Sequence, residues 1–516
     1  MTTKHKKLNV IKDTKRLTRY RYKMNKAIPT SFAILYLLFT IFLMGFDISV
    51  KASPDIIHVP SDYAKIQWAI GNATVGDTIF VSAGIYYEHV TIDKPLTLQG
   101  ENRNSIIDGN NTGHVVTITA DNVNISDFTI QNSGSGFWDS GVYTYNSSWC
   151  NISQNILIHN GHGIWLDNHS DNNILTANNV SHNLVGIGIT ISHNNIFTSN
   201  YVFSSTYCGI GLGGASSNIF ADNTASNNEY GIWLHYSNNV TVTGNTFSNN
   251  LYGIQLNHSS NNILFHNNII NNTNQATTIN SVNTWDSDYE GNYWSDYNGN
   301  DANEDGIRDN PRIIDANNTD NYPLMGPFSD FTITWEEQLH HVTTICNSTI
   351  SNFNFTDTYN GSTKALFFNV TGENETAGFC RIRIPTTLIN NAFTVYVDGV
   401  NTTYTLLPRS NATYSYLYFT YNHSTKEVII IPEFPSTLFL YLLMTLALAA
   451  TAYLKTTRPE DLIERALLPK AIRETNSSKI DNLSHSPSKI FEPTKIPPNE
   501  AKNRDKAPLC SVWRRE

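Results

Sequence analysis

Apolar positions alternate with polar ones in short runs along most of the chain, and the runs recur at a fixed interval. Gly141-Val142-Tyr143, Gly163-Ile164-Trp165-Leu166, Gly186-Ile187-Gly188-Ile189, Gly209-Ile210-Gly211-Leu212, Gly231-Ile232-Trp233-Leu234 and Gly253-Ile254-Gln255-Leu256 follow one another at spacings of 22, 23, 23, 22 and 22. Asn155, Asn178, Asn223, Asn245 and Asn268 each stand eight residues ahead of the next Gly or of Ala276, and Asn200 stands nine ahead of Gly209. Helical spacing is absent. Period-2 strands of about three to five residues, with an Asn turn about every seven, predict one triangular coil of a right-handed parallel β-helix per period of 22–23 residues. Stacked coils would bring the repeated Asn side chains into internal ladders that satisfy turn backbone.

The period is lost over 328–431. Longer strands are expected there at Lys364–Val370, Phe379–Ile384 and Phe393–Val397, with hairpin-type turns at Asn360-Gly361 and Asp398-Gly399. This segment reads as a β-sandwich-like stalk. Two unbroken apolar runs, Phe32–Phe46 and Thr437–Leu454, flank the β-rich part. The first is short for a membrane span and suits a signal peptide or signal anchor with small residues near Ala52; the second predicts a transmembrane helix.

Charge sharpens this division. The formal net charge of -10 separates into +9 over 1–31, -23 over 52–454 and +4 over 455–516. By the positive-inside rule both basic ends lie in the cytoplasm and the acidic middle lies outside the cell. Nineteen Asn-x-Ser/Thr acceptors between Asn72 and Asn422 suit an exported glycoprotein. No Lys or Arg occurs from Asn104 to Ile307, which excludes nucleic acid as a partner of the repeat region. The expected order is therefore a basic leader over 1–52, a β-helix over 60–325, the stalk over 328–431, a membrane helix over 436–454 and a disordered basic cytoplasmic tail over 455–516. Cys346 and Cys380 fall in one predicted domain, where they could pair or remain buried thiols.

The residues at both ends of the repeat carry a resemblance that covers roughly 60–325. Ile66-Gln67-Trp68-Ala69-Ile70, Gly76-Asp77-Thr78-Ile79-Phe80-Val81, Gly84-Ile85-Tyr86-Tyr87-Glu88 and Lys94-Pro95-Leu96-Thr97-Leu98-Gln99-Gly100 resemble the opening of NosD-like proteins, which carry the carbohydrate-binding and sugar-hydrolase type of β-helix. Pectin esterases share that opening. Asn292-Tyr293-Trp294-Ser295-Asp296-Tyr297 through Asn321-Tyr322-Pro323-Leu324 is similar to the closing segment of archaeal surface members, and Pro432-Glu433-Phe434-Pro435-Ser436 looks like the juncture that precedes their membrane anchors. The resemblance implies the fold and leaves the activity open.

Polysaccharide-enzyme chemistry finds little support in the residues. Gly161-His162-Gly163 resembles a pectin-hydrolase motif, but Asp139, Asp167, Asp171 and Asp222 fall on different coils and no cation is present to hold a uronate. A glycoside hydrolase or lyase stays as an alternative. So does the copper-maturation role that the NosD resemblance implies, although the exported region holds one methionine, Met325, and its histidines fall mostly in turns. Asp301, Asn303, Asp305 and Asp309, spaced around Gly306, match the first part of a calcium loop, while Arg312 stands where a bidentate Glu would complete it; a structural calcium is expected.

The repeat register also predicts a binding groove. In Gly-Ile-x-Leu the two apolar side chains face inward, so x and the residue after Leu face outward. This pairs Trp165 with Asp167 and Trp233 with His235, two indoles three coils apart, roughly 14 Å at about 4.8 Å per coil, with Gly188 and Gly211 between them. Such a notch suits a neutral polysaccharide or surface glycan, bound without catalysis. Two alternatives stay open: that a loop or neighbouring domain covers the indoles, and that the protein is a structural or adhesive surface protein with no sugar ligand.

Overall fold

A computed structural model describes residues 54–359, 363–390, 392–433 and 436–456. The leader over 1–52 and the tail beyond 456 lie outside the described residues, as does the Asn360-Gly361 turn. The first compact unit extends to Glu433, and most of it is the expected parallel β-helix.

Three parallel sheets of ten, nine and ten strands wrap around a single core, and each strand pairs with its counterpart one coil away. Most strands on two faces have three residues, and only the middle residue points inward. Ile152, Leu175, Phe197, Phe220 and Val242 stack on one of these faces; Leu157, Val180, Val202, Ala225 and Phe247 stack on the other, all fully buried. Their volumes compensate within each coil, because Phe220 shares a coil with Ala225 and Phe247 shares one with Val242. A fixed cross-section requires this, since neither a void nor an extra ring fits a close-packed interior. The remaining face carries six-residue strands, Ser140–Tyr145, His162–Asp167, Val185–Thr190, Cys208–Gly213, Tyr230–His235, Tyr252–Asn257 and Asn274–Ile279, and Gly-Ile-x-Leu or Gly-Ile-x-Ile runs through the middle five.

The Asn ladder holds the corners. The backbone N–H of Asn178 donates to Oδ1 of Asn200 (3.1 Å), while Asn178 Nδ2 donates both to Ile152 O (2.7 Å) and to Asn200 Oδ1 (3.0 Å). The same bonds run on through Asn223 and Asn245. The next rung differs from the expected one: Asn245 donates to Asn267 (3.1 Å), not to Asn268. With two adjacent Asn residues available, the turn places the first inside. The second leaves the ladder and exchanges two hydrogen bonds with the backbone of Phe328. A second row joins Asn160 to Asn183 and, after a break at Ser205, whose N–H donates to Asn228, joins Asn228 to Asn250; a third through Asn173, Asn195 and Asn218 holds another turn.

Both ends of the solenoid are closed. The short helix Ile66–Asn72 buries Ile66, Ala69 and Ile70 against the first coils, and Glu88 accepts the backbone N–H groups of Ile66 and Gln67 at its start. At the far end Trp285 and Trp294 fill the cross-section. Their indole N–H groups donate to Asn318 Oδ1 (3.2 Å) and Asp320 Oδ2 (2.8 Å), which end the stack in hydrogen bonds.

Beyond Phe328 two five-stranded antiparallel sheets contribute to one buried cluster that includes Val342, Leu366, Phe368, Ile382, Val395 and Leu417, so they face each other across a common core. The expected strands appear as Thr363–Thr371, Ala377–Pro385 and Phe393–Val397. Asp398 and Gly399, both with positive φ, form the turn between Phe393–Val397 and Val400–Thr402. Cys346 and Cys380 stand directly opposite each other as free buried thiols.

The second unit is described over the helix Ser436–Thr456, and its side chains over 443–453. Among the described residues no helix is long and apolar enough to cross a membrane.

Candidate functional site

The six-residue strands bring Trp165, Gly188, Gly211 and Trp233 into one register, with Asp167, Thr190, Gly213 and His235 in the row beside it. All of these except the predicted Asp167 line a hollow of about 190 Å³. Its floor is open at Gly211 and Gly213, whereas at Gly188 the His162 ring takes the place of a side chain and would lie 2.7 Å from a Cβ there. A Cβ at Gly213 would meet nothing nearer than Ile189 O at 4.0 Å, and one at Gly211 would touch only Cys208.

The two walls differ from the expected pair of exposed indoles. Trp165 is only 8% exposed. Trp138 stacks on it at 4.8 Å between ring centroids, His162 stacks at 5.2 Å and Tyr143 lies at 5.0 Å. Trp165 Nε1 donates to Thr190 Oγ1 (3.2 Å). Trp138, 57% exposed, therefore presents the open aromatic face on that side. Trp233 is half-buried, stacked near Tyr230 and His235, with Tyr207 edge-on; its Nε1 is buried and has no hydrogen-bond partner.

Trp138 and Phe137 were not legible as site residues, because they come from a loop that interrupts the repeat. The glycines around them were the available signal. A Cβ at Gly134 would lie 2.1 Å from Asp139 Oδ2, and that carboxylate accepts the Gly136 N–H (2.9 Å), so the loop needs small residues where it folds back.

The electrostatics are those of a nearly uncharged surface. Burial pushes the His162 imidazole down to about 4, so the ring is neutral near pH 7 and its Nδ1 has no partner. Burial, followed by the charge of Glu229, pushes the Tyr230 phenol up to about 12. Asp167 accepts the Tyr143 hydroxyl (3.1 Å) instead of joining a second carboxylate. Asp139 is tied to Gly136, and Asp171 accepts the His193 N–H (2.6 Å).

The 301–309 loop is closed on itself. Asp301 accepts the N–H groups of Asp305 (3.0 Å) and Gly306 (2.9 Å), Asp305 accepts that of Ile307 (2.8 Å), and Asp309 accepts that of Ala302 (2.8 Å). Asn303 Nδ2 donates to Asp305 (3.3 Å). Burial raises the Asp301 carboxyl, with the Asp305 and Asp309 charges adding to the effect. Most of the carboxylate oxygens are thus engaged by backbone. No group of three or more His, Cys, Asp or Glu side chains is gathered for a metal among the described residues.

With this geometry in view, residues 70–299 match the model of the family described as "Periplasmic copper-binding protein (NosD)", in agreement with the resemblance at the repeat ends. No curated protein sequence matches the chain. Solved structures similar in fold include a double mutant of a periplasmic alginate epimerase (16% identity, 41% of this chain and 59% of that one, TM-score 0.34). A mannuronan C-5 epimerase module from Azotobacter vinelandii is similar at 16% identity over 42% of this chain and 74% of that one, with a TM-score of 0.31. A pectate lyase is similar at 12% identity over 49% and 83%, with a TM-score of 0.37. The chain thus spans about three fifths of the first epimerase's length. At these identities the likeness concerns the parallel β-helix alone.

Proposed function

We propose that this is a membrane-anchored cell-surface β-helix protein that holds neutral polysaccharide or surface glycan in the notch between Trp165 and Trp233 without catalysis. The observation that carries this reading is the shared register of Trp165, Gly188, Gly211 and Trp233 around an open hollow. Sugar rings stack their apolar faces on indoles, here Trp138 and Trp233, while Thr190 and His235 at the rim supply hydrogen bonds. The lack of any Lys or Arg from Asn104 to Ile307 favours an uncharged ligand. A panel of neutral glucans, mannans and galactans, presented to the full-length protein, tests it: at least one should be retained, and Trp233→Ala should weaken retention about tenfold or more. Retention of none would favour the structural or adhesive role.

The anchor and its topology rest on the apolar run Thr437–Leu454 and the charge asymmetry. Protease added to intact cells should remove the acidic middle and spare the C-terminal tail; digestion of the tail would reverse the topology. The calcium reading of the 301–309 loop rests on the spacing of Asp301, Asn303, Asp305 and Asp309 alone.

A further inference from the structure

A second hollow, of about 590 Å³, lies where the closing segment of the β-helix meets the sandwich. Tyr289, Asp305 and Tyr322 line it from the closing segment; Arg381, Arg409 and Asn411 line it from the sandwich. Its charge differs from that of the notch. No Lys or Arg occurs from Asn104 to Ile307, yet here two guanidinium groups approach one ring, with Arg381 at 5.5 Å and Arg409 at 5.7 Å from the Tyr416 centroid.

The charges nearby are unequally committed. Arg381 is 5% exposed, and its Nη2 donates to Glu290 at 2.5 Å. The other oxygen of Glu290 accepts from His266 at 2.8 Å, so this carboxylate has no free oxygen for the cavity. Nη1 of Arg381 remains buried with no hydrogen-bond partner, a costly state for a cationic donor. Arg409 is exposed and makes no ion pair among the described residues. Its guanidinium sits 3.9 Å from the centroid of Tyr289, a contact that leaves N–H groups at its edge available. Asp305 turns one oxygen to the Ile307 N–H and the other to Asn303. Arg409 is therefore the cation of this hollow left without a counter-charge among the described residues.

We propose that this hollow binds a uronate, a sugar unit bearing one carboxylate, with Arg409 holding the carboxylate and Arg381 forming the charged wall behind it. The hydroxyls of Tyr289 and Tyr322 supply neutral partners for the ring hydroxyls, whereas the Asn411 amide is engaged by the backbone of Arg409, Thr413 and Tyr414. The volume admits one or two sugar units. The -23 balance over 52–454 disfavours densely charged polyanions, so a ligand with a single local charge is selected. This site is separate from the aromatic notch and does not depend on its ligand.

The test is titration of the full-length protein with D-glucuronate and D-galacturonate, with D-glucose and acetate in parallel. A uronate should bind, and more weakly as salt is raised. Arg409→Ala should reduce its affinity about tenfold or more. Because Arg409 is exposed, that variant should keep the wild-type melting temperature. Trp233→Ala should leave uronate binding unchanged. Equal binding of glucose would overturn the role of the carboxylate, and equal binding of acetate would overturn that of the sugar frame. Failure of both uronates to bind, or unaltered affinity in Arg409→Ala, would overturn the site itself.

Discussion

The solenoid and the sandwich solve the same problem, pairing every strand, with opposite range. In the β-helix a residue meets its counterpart about 22 positions away, so Asn178 finds Asn200 and Asn200 finds Asn223 by the same local rule. In the sandwich, Phe328–Trp335 and Gln338–Cys346 form a hairpin, but Gln338–Cys346 then pairs with Ala377–Pro385, and that strand with Tyr414–Asn422. The repeat region buries polar amides in ladders and carries no Lys or Arg from Asn104 to Ile307. The sandwich buries an apolar core and supplies Arg381 to the seam. Repetition makes a long, uncharged and regular surface on which a notch can be read by counting, whereas charge-selective features arise where the repetition stops.

The largest effect should come from breaking a ladder. Asn200→Ala removes the acceptor for the Asn178 N–H and the donor to Leu175 O (2.8 Å), leaving buried polar groups unpaired at about 1–3 kcal/mol each, a total of about 4 kcal/mol. Nearest-neighbour stacking confines the damage, so amide exchange should accelerate in the coils around 178–223 and little in the sandwich. Uniform acceleration in both would contradict the contrast.

The seam should show a somewhat smaller, pH-dependent effect. Burial pushes the Glu290 carboxyl up, but its hydrogen bond to His266 and the charge of Arg381 outweigh this and hold it down to about 2. A carboxyl depressed in the folded state contributes stability that is present above about pH 4.5 and lost as pH falls toward about 2. Glu290→Gln leaves Arg381 buried without its counter-charge and should cost about 3 kcal/mol at pH 7. The melting-temperature gap between wild type and variant should narrow as pH falls from 5 to 3; a constant gap would mean that the charge of Glu290 is not what joins the two regions.

The smallest effect concerns the loop between them. If Asp301, Asn303, Asp305 and Asp309 take calcium, the ion should raise the melting temperature by a few degrees, and Asp305→Ala should abolish the rise without removing the fold. An unchanged melting curve with calcium and with chelator would dispose of the site.

The solenoid, its coil length and the register of Trp165, Gly188, Gly211 and Trp233 were legible because each follows from a period counted along the chain. The rung at Asn267 was not, since adjacent Asn267 and Asn268 satisfy the period about equally well and only the packing of Phe328 separates their roles. That a loop covers Trp165 was one of the alternatives left open, but which residues cover it was not legible, because Phe137 and Trp138 lie in a loop outside the repeat. The seam escaped for a different reason: Glu290 and Arg381 are 91 residues apart and belong to regions with unrelated patterns.

The most direct measurement for the notch fills it without stripping its walls. Gly213→Leu adds a side chain where a Cβ would meet nothing nearer than 4.0 Å, so the coil stack should tolerate it, whereas Trp165→Ala would also remove packing. Binding of the full-length variant to whichever neutral polysaccharide the wild type retains should fall about tenfold or more, with the melting temperature nearly unchanged. Undiminished binding by the folded Gly213→Leu variant would contradict the assignment of this notch as the glycan site.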